Sequence, residues 1–120
     1  QISNIFDFLK YIKNVEAASD LRKLEARLIV DSLHMENPTI ILGDMNDVSG
    51  SPALRTFENV GFKNTWWQRG CGYGATIHSP ISYRIDHILY NNRMRLHSIR
   101  KIKANGLSDH DALVAVFGIP

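Results

Sequence analysis

The hydrophobic pattern changes its period at Asn37-Pro38, and this change constrains the fold more than any other feature of the chain. Before it, apolar residues recur at helical spacing; after it, residues 39–42 form a short, continuously apolar run rich in β-branched side chains. Proline disfavours helical geometry in the residue that precedes it. The N-terminal third is therefore predicted to be helical, and residues 39–42 to be a strand buried on both faces.

Two helices are predicted before this change of period. The apolar stripe of the first comprises Ile5, Phe8, Leu9, Ile12 and Val15. The second is predicted to begin after Ser19 or Asp20, because either side chain accepts hydrogen bonds from first-turn amides. Its apolar stripe comprises Leu21, Leu24, Leu28, Ile29 and Leu33.

The rest of the chain alternates between helical and strand patterns. A helix is predicted to begin at Ser51-Pro52, with serine as the N-cap, and to end at Gly61. Residues 83–90 and 112–117 read as strands. Helices precede or separate strands throughout, so the class is α/β (α+β), and 120 residues argue for a single domain over 1–120.

Composition excludes several classes of protein. With 44% hydrophobic and 22% charged residues the chain is globular, neither disordered nor collagenous. Cys71 is the one cysteine, which excludes a disulfide framework and a multi-cysteine zinc site. A net charge of +2 does not by itself imply nucleic-acid binding. No membrane-spanning run or signal peptide is visible, and no compartment is indicated. Because the chain starts at Gln1, we expect it to be a piece of a longer product.

The first polar cluster follows the predicted strand 39–42. Asp44 and Asn46 are two residues apart, so they project to the same side of an extended chain. A carboxylate beside a carboxamide is suited to holding a water molecule and stabilising charge on a substrate oxygen. The alternative is an Asx turn in which both side chains cap backbone amides.

The second and third clusters lie on or before later strands. Asp86 shares a predicted strand face with Arg84, so an ion pair is one interpretation, while His87 is expected to be a hydrogen-bonded core or interface histidine. Asp109 and His110 are adjacent and point to opposite faces, so the carboxylate that orients His110 must come from elsewhere, with Asp86 as a candidate. The alternative for this cluster is a polar turn capped by the serine before Asp109.

Taken in order, the segments GDMN (43–46), RIDHIL (84–89) and SDH (108–110) resemble the motifs of the endonuclease/exonuclease/phosphatase family, the DNase-like metal-dependent phosphoesterases. A three-part ordered match is far more specific than any one short motif. The resemblance extends over about residues 21–117, nearly the whole chain.

The resemblance implies a role for each residue of the three clusters. Asp44 is implied to orient or deprotonate the attacking water, and Asn46 to hydrogen-bond the phosphoryl group. Asp86 is implied to pair with His110, whose imidazole contacts the scissile phosphate. Asp109 is implied to bind the divalent metal, Mg²⁺ or Mn²⁺. These roles suit the reaction, because an anionic phosphoester resists attack until metal and donors spread its charge.

The resemblance also implies that the chain is only part of the family's domain. The family fold is a four-layered α/β/β/α sandwich, and this chain looks like its C-terminal half, a mixed, mostly antiparallel sheet flanked by helices. The first half normally supplies an Asn and a metal-binding Glu. We therefore expect a phosphoesterase in the full-length parent and an inactive fragment. The uncovered sheet predicts a homodimer of the fragment, and Thr76 is implied to line the site.

Substrate and alternatives stay open at this point. The substrate is a phosphoester, either nucleic acid or a phosphorylated small molecule or lipid. The alternative is a catalytically incomplete binding or scaffolding domain of the same fold, and a further alternative is a module that binds nucleic acid through a basic stretch. That stretch comprises Arg93, Arg95, Arg100, Lys101 and Lys103, and the pattern favours a solvated hairpin over a surface that binds phosphates. Trp66 and Trp67 could stack on bases, or could be one core and one surface residue.

Overall fold

The computed structural model describes residues 5–119, except for the side chains of residues 6–8, 11 and 12. In chain order the elements are α1 (Ile5–Asp31), β1 (Ile40–Asp44), α2 (Pro52–Asn59), β2 (Lys63–Asn64), α3 (Thr65–Arg69), β3 (Asp86–Tyr90), β4 (Arg95–Ile102) and β5 (Ala112–Gly118). The period change at Asn37-Pro38 separates α1 from β1, as predicted. Within residues 5–119, no helix is long and apolar enough to cross a membrane.

One continuous helix, α1, replaces the two helices predicted before Asn37. Ser19 and Asp20 lie inside it and do not cap a second helix, because no glycine or proline interrupts residues 5–31 and the backbone stays hydrogen-bonded.

The predicted apolar stripe of the second helix is also wrong in part. Leu21, Leu24 and Leu28 are more than half exposed, and the packed side of α1 instead carries Ala26, with Val30 partly buried. Leu33 of the predicted stripe lies beyond the end of α1 and packs against the core. The small Ala26 side chain permits close approach to α2. The positions Phe8 and Ile12 of the other stripe lie outside the described side chains.

Helix α2 begins and ends as predicted. Ser51 Oγ accepts a hydrogen bond from the Leu54 amide at 3.3 Å, and Pro52 occupies the first turn. Gly61 follows the helix with φ of 107°, a left-handed conformation that glycine adopts without strain.

The central sheet is antiparallel, with β3 between β1 and β2. In the β1–β3 ladder Ile40 pairs with Tyr90 and Asp44 with Asp86. Strands β4 and β5 form a second antiparallel pair, with a bulge between Leu96 and Ser98. The two sheets meet where the Tyr90 and Phe117 rings pack edge to face, with centroids 5.4 Å apart.

The core lies between the central sheet and helices α1 and α2. It comprises Ala26, Ala53, Leu54, Phe57, Phe62 and Leu89. Ile41 faces this core, whereas its neighbour Leu42 is 68% exposed on the opposite face of β1. The prediction that β1 is buried on both faces is therefore wrong for this chain, since no described residue covers the second face.

Candidate active site

Pairing of β1 with β3 and closure of the loop before β5 bring three sequence-predicted residues together. The ladder sets Asp44 opposite Asp86. An isolated bridge between Ile77 and His110 brings the histidine to the same place. One potential ligand atom from each of Asp44, Asp86 and His110 lies within 4.8 Å of the others. We call these three residues the acidic–histidine cluster.

The imidazole of His110 lies between the two carboxylates of the cluster. Its Nδ1 is 2.7 Å from Asp86 Oδ2, and its Nε2 is 3.8 Å from Asp44 Oδ2. The hydrogen bond to Asp86 raises the pKa of His110, and the negative charges of Asp86, Asp44 and Asp109 add to this effect. Since Asp86 engages Nδ1, Nε2 is the ring nitrogen on the side of Asp44 and has no hydrogen-bond partner in the described residues.

Asp44 forms a turn and contributes to the cluster at the same time. Its Oδ1 accepts a hydrogen bond from the Asn46 amide at 2.9 Å, the Asx turn considered above. Asn46 adopts a positive φ of 51°, which asparagine tolerates better than most residues. Within the described residues its carboxamide has no hydrogen-bond partner, and it lines a depression of about 260 Å³ together with Asp44. The turn therefore leaves the Asn46 side chain open to a ligand.

Asp109 does not join the acidic–histidine cluster. Its side chain is exposed and lies outside the cluster. Its negative charge contributes to the raised pKa of His110. The residue before it caps this turn, since Ser108 Oγ accepts a hydrogen bond from the His110 amide at 3.1 Å. The metal-binding role of Asp109 stays a prediction.

Thr76 supports Asp86 from beneath the site and does not line it. Its side chain is fully buried, and Oγ1 accepts hydrogen bonds from the Ile85 amide at 3.1 Å and the Asp86 amide at 3.2 Å. Its carbonyl accepts a hydrogen bond from the Asp111 amide at 2.7 Å. This one residue thus connects the backbone of Asp86 with the segment that carries His110.

The predicted ion pair between Arg84 and Asp86 does not form. The Ile85 and Asp86 amides both donate to Thr76 Oγ1 instead of to a neighbouring strand, and β3 begins at Asp86 rather than at residue 83. The expected alternation of faces therefore does not extend back to Arg84. The guanidinium instead donates to Ser49 Oγ at 2.9 Å. Burial lowers the pKa of Arg84.

His87 is a core histidine, as predicted. Its side chain is 1% exposed. Asn64 Nδ2 lies 3.0 Å from Nδ1, and the Asp47 carbonyl oxygen lies 2.8 Å from Nε2, so the neutral ring accepts at Nδ1 and donates at Nε2. Desolvation lowers the pKa of His87.

Asp111 holds the loop that carries Asp109 and His110, a role that the sequence analysis did not assign. Its Oδ1 accepts a hydrogen bond from the Ala104 amide at 2.9 Å, and its Oδ2 lies 2.7 Å from His78 Nε2 and 3.4 Å from Lys101 Nζ. The Ala104 bond and then the His78 bond lower the pKa of Asp111 to about 2. The sequence feature that could have indicated this role is the position of Asp111 directly before the apolar strand β5, because a carboxylate buried there needs hydrogen-bond donors.

Comparison with known proteins identifies the family. The model of the endonuclease/exonuclease/phosphatase family matches residues 13–110, and the chain belongs to this family. Members of the family are usually hydrolytic enzymes that depend on divalent metals. No curated protein matches the chain.

Two solved structures share the fold. An endonuclease/exonuclease/phosphatase from Bacteroides vulgatus has a TM-score of 0.74 at 22% identity, with 85% of this chain and 45% of that chain covered. A second, from Beutenbergia cavernae, has a TM-score of 0.67 at 20% identity, covering 82% of this chain and 31% of that chain. The chain thus spans less than half the length of these structures, and the antiparallel sheets with flanking helices are part of the family's domain.

Proposed function

We propose that the full-length protein is a Mg²⁺- or Mn²⁺-dependent phosphoesterase. The observation that carries this proposal is the 2.7 Å hydrogen bond between Asp86 and His110, formed beside the Asp44 carboxylate. The substrate class is a phosphodiester or phosphomonoester of a nucleic acid or of a phosphorylated small molecule or lipid.

Four residues of this chain have separate roles in hydrolysis of the phosphoester. Asp44 orients the attacking water and accepts its proton, while the Asn46 carboxamide donates to a phosphoryl oxygen on which negative charge develops. Asp86 holds His110 in one orientation, with Nε2 directed at the phosphate. Because the pKa of His110 is raised, the imidazolium persists to higher pH and supplies both positive charge and a proton there.

The donor set suits a hard divalent cation. Mg²⁺ and Mn²⁺ prefer carboxylate oxygen and water, and the cluster contains two carboxylates. Asp86 Oδ2 is engaged by His110, so Asp44, which is exposed, is the more available carboxylate of the cluster, and Asp109 is the ligand that the family resemblance implies. When bound, the metal neutralises phosphate charge and lowers the pKa of water.

The test is hydrolysis of a chromogenic phosphodiester and a phosphomonoester by the full-length protein. We expect Mg²⁺-dependent turnover that EDTA abolishes. His110→Ala should lower the rate by at least about 10²-fold, the usual contribution of a positioned acid or base. Asn46→Ala should lower it by about 10²- to 10³-fold, the usual loss for one transition-state donor. His34→Ala, a change at a histidine whose side chain is 77% exposed, is the matched control and should retain full activity.

Two results would contradict the proposed metal-dependent phosphoesterase, and one of them would favour a binding or scaffolding domain. Phosphoester hydrolysis that survives EDTA, or a fully active His110→Ala variant, would overturn the proposed chemistry. A full-length protein without hydrolytic activity would instead be a binding or scaffolding domain of the same fold. The observation that favours this candidate is the small cluster, which contains only two carboxylates in the described residues.

A further inference from the structure

His78 bonds two other side chains, one through each of its ring nitrogens. Its Nδ1 lies 3.2 Å from Ser82 Oγ, and its Nε2 lies 2.7 Å from Asp111 Oδ2. A carboxylate only accepts hydrogen bonds, so Nε2 carries a proton and donates it to Asp111. The Asp111 side chain is 8% exposed, whereas that of His78 is 51% exposed. A histidine at the surface thus supplies a donor to a buried carboxylate.

The other donors to the Asp111 carboxylate belong to the hairpin of β4 and β5. The Ala104 amide donates to Oδ1 at 2.9 Å, and Lys101 Nζ lies 3.4 Å from Oδ2. Lys101 lies at the end of β4, Ala104 follows that strand, and β5 begins directly after Asp111. Among the described residues, His78 alone bonds this carboxylate from outside the hairpin. It fixes the hairpin to residues 75–83, which we call the bridging segment.

The bridging segment contacts both members of the Asp86–His110 pair. On one side, Thr76 Oγ1 accepts a hydrogen bond from the Asp86 amide at 3.2 Å. On the other side, Ile77 forms the isolated β-bridge with His110. Asp111 follows His110 directly in the chain, so the bond to its carboxylate fixes the backbone next to the catalytic imidazole. The 2.7 Å contact between His110 Nδ1 and Asp86 Oδ2 depends on this attachment.

We infer that His78 is a positioning residue for His110. Within the described residues it makes no hydrogen bond to either member of the Asp86–His110 pair, and it acts by holding Asp111. The inference rests on the proposed function and adds to it a residue from outside the three polar clusters. A displacement of about 1 Å at a reacting group can lower a rate by about 10²-fold, so a bond at this distance from the chemistry affects turnover.

The test compares two amide side chains of different length at position 78 of the full-length protein. The amide nitrogen of glutamine reaches the position of Nε2, whereas that of asparagine reaches only the position of Nδ1. His78→Gln therefore keeps a donor for Asp111 and should keep most of kcat. His78→Asn loses that donor and should lower kcat by at least about tenfold, with KM little changed. His34→Asn, at a histidine whose side chain is 77% exposed, is the control and should change neither value.

A double variant separates an effect that passes through His110 from an independent one. In the His110→Ala background, His78→Asn should change kcat by no more than about twofold, because the group that it positions has been removed. The same loss of kcat in both backgrounds would overturn the inference, since His78 would then act independently of His110.

The 120-residue chain offers a readout that requires no hydrolysis. The ring-nitrogen chemical shifts of His110 in NMR report its hydrogen bond to Asp86. His78→Asn should change these shifts, whereas His78→Gln and His34→Asn should leave them as in the wild type. If His78→Asn does not fold, Ser82→Ala replaces it, because this change at an exposed residue removes the partner of the other ring nitrogen.

Two results would refute the positioning role. They are unchanged His110 shifts in the folded variant and equal kcat in His78→Asn and His78→Gln. Changed His110 shifts, together with a full-length wild type that does not hydrolyse phosphoesters, would instead contradict the proposed function and leave the positioning by His78 standing.

Discussion

At the scale of single residues, the neighbours of two histidines shift their pKa values in opposite directions. His110 is partly exposed between carboxylates, which raises its pKa. His87 is buried against Asn64 and a backbone carbonyl, which lowers its pKa through desolvation. The raised pKa of His110 stabilises the fold below the unfolded-state pKa, and this contribution is lost as the pH rises through the folded value. The raised pKa of His110 favours its charged form, and the lowered pKa of His87 favours the neutral ring that its hydrogen bonds require.

His87 makes the stability of the fold sensitive to acid. Because its folded pKa lies below the ordinary value of 6.5, the unfolded chain binds the extra proton first as the pH falls. We expect the free energy of unfolding to decrease by up to about 1.4 kcal/mol per pH unit between 6.5 and the lower folded pKa. Urea unfolding of the 120-residue chain at several pH values measures this slope.

Variants isolate the contribution of His87 from that of other groups. His87→Gln should flatten the slope below neutral pH, since glutamine does not titrate. His97→Gln, at an exposed histidine on β4, should leave the slope unchanged. An unchanged slope in His87→Gln would show that the acid sensitivity arises elsewhere.

At the scale of elements, the start of strand β3 is determined by one buried hydroxyl. Thr76 Oγ1 accepts from both the Ile85 and Asp86 amides, so the hydroxyl sets where pairing with β1 begins and how the Asp86 carboxylate is presented. Its carbonyl hydrogen-bonds the Asp111 amide next to His110. The distance between Asp86 and His110 therefore depends on Thr76, which hydrogen-bonds the backbone on both sides of this pair.

Removing the Thr76 hydroxyl should lower the free energy of unfolding and alter the position of Asp86 beside His110. Thr76→Val keeps the shape of the side chain and leaves two amides without a partner, so we expect a loss of about 2 kcal/mol or more in unfolding free energy. Thr76→Ser keeps the hydroxyl and should cost only about 1 kcal/mol, through one lost methyl group. Urea unfolding and the NMR titration of His110 check both variants; equal behaviour of valine and serine would argue against the hydrogen bonds.

At the scale of the whole molecule, the central sheet has one covered and one open face. Helices α1 and α2 cover the face that carries Ile41 and Leu89, whereas Leu42 and Ile40 are exposed on the other. We propose that the 120-residue chain by itself forms a homodimer through this open face, because a two-fold pair buries the same apolar patch on both copies.

A matched pair of substitutions tests the homodimer. Leu42 and Leu28 are 68% and 63% exposed, on the open sheet face and on α1 respectively. Leu42→Lys should convert the dimer into a monomer in sedimentation or light scattering, because it places a charge in the buried patch. Leu28→Lys should leave the dimer intact. A monomeric wild-type chain at high concentration would refute the dimer.

The chain by itself should also bind divalent metal weakly. Two clustered carboxylates rarely hold Mg²⁺ without further ligands, so titration calorimetry should reveal no site tighter than roughly millimolar. Micromolar affinity together with turnover would show that the 120 residues form a complete site.

The sequence by itself determined the family and much of the local structure. The period change at Asn37-Pro38, the Ser51 cap, the last strand and the burial of His87 follow from side-chain shape, proline geometry and polarity within a few residues. The three ordered motifs indicated the family because they carry the same side chains in the same order.

The tertiary structure decided what depends on contacts between distant segments. Helix α1 has apolar residues on several sides, and only its packing against α2 selected Ala26 over Leu28 as the buried position. Arg84 and Asp86 separated because a threonine from another segment bends the chain between them. A hydrophobic pattern indicates which face of a helix or strand can be buried. Whether that face is buried depends on which other segment packs against it in the folded chain.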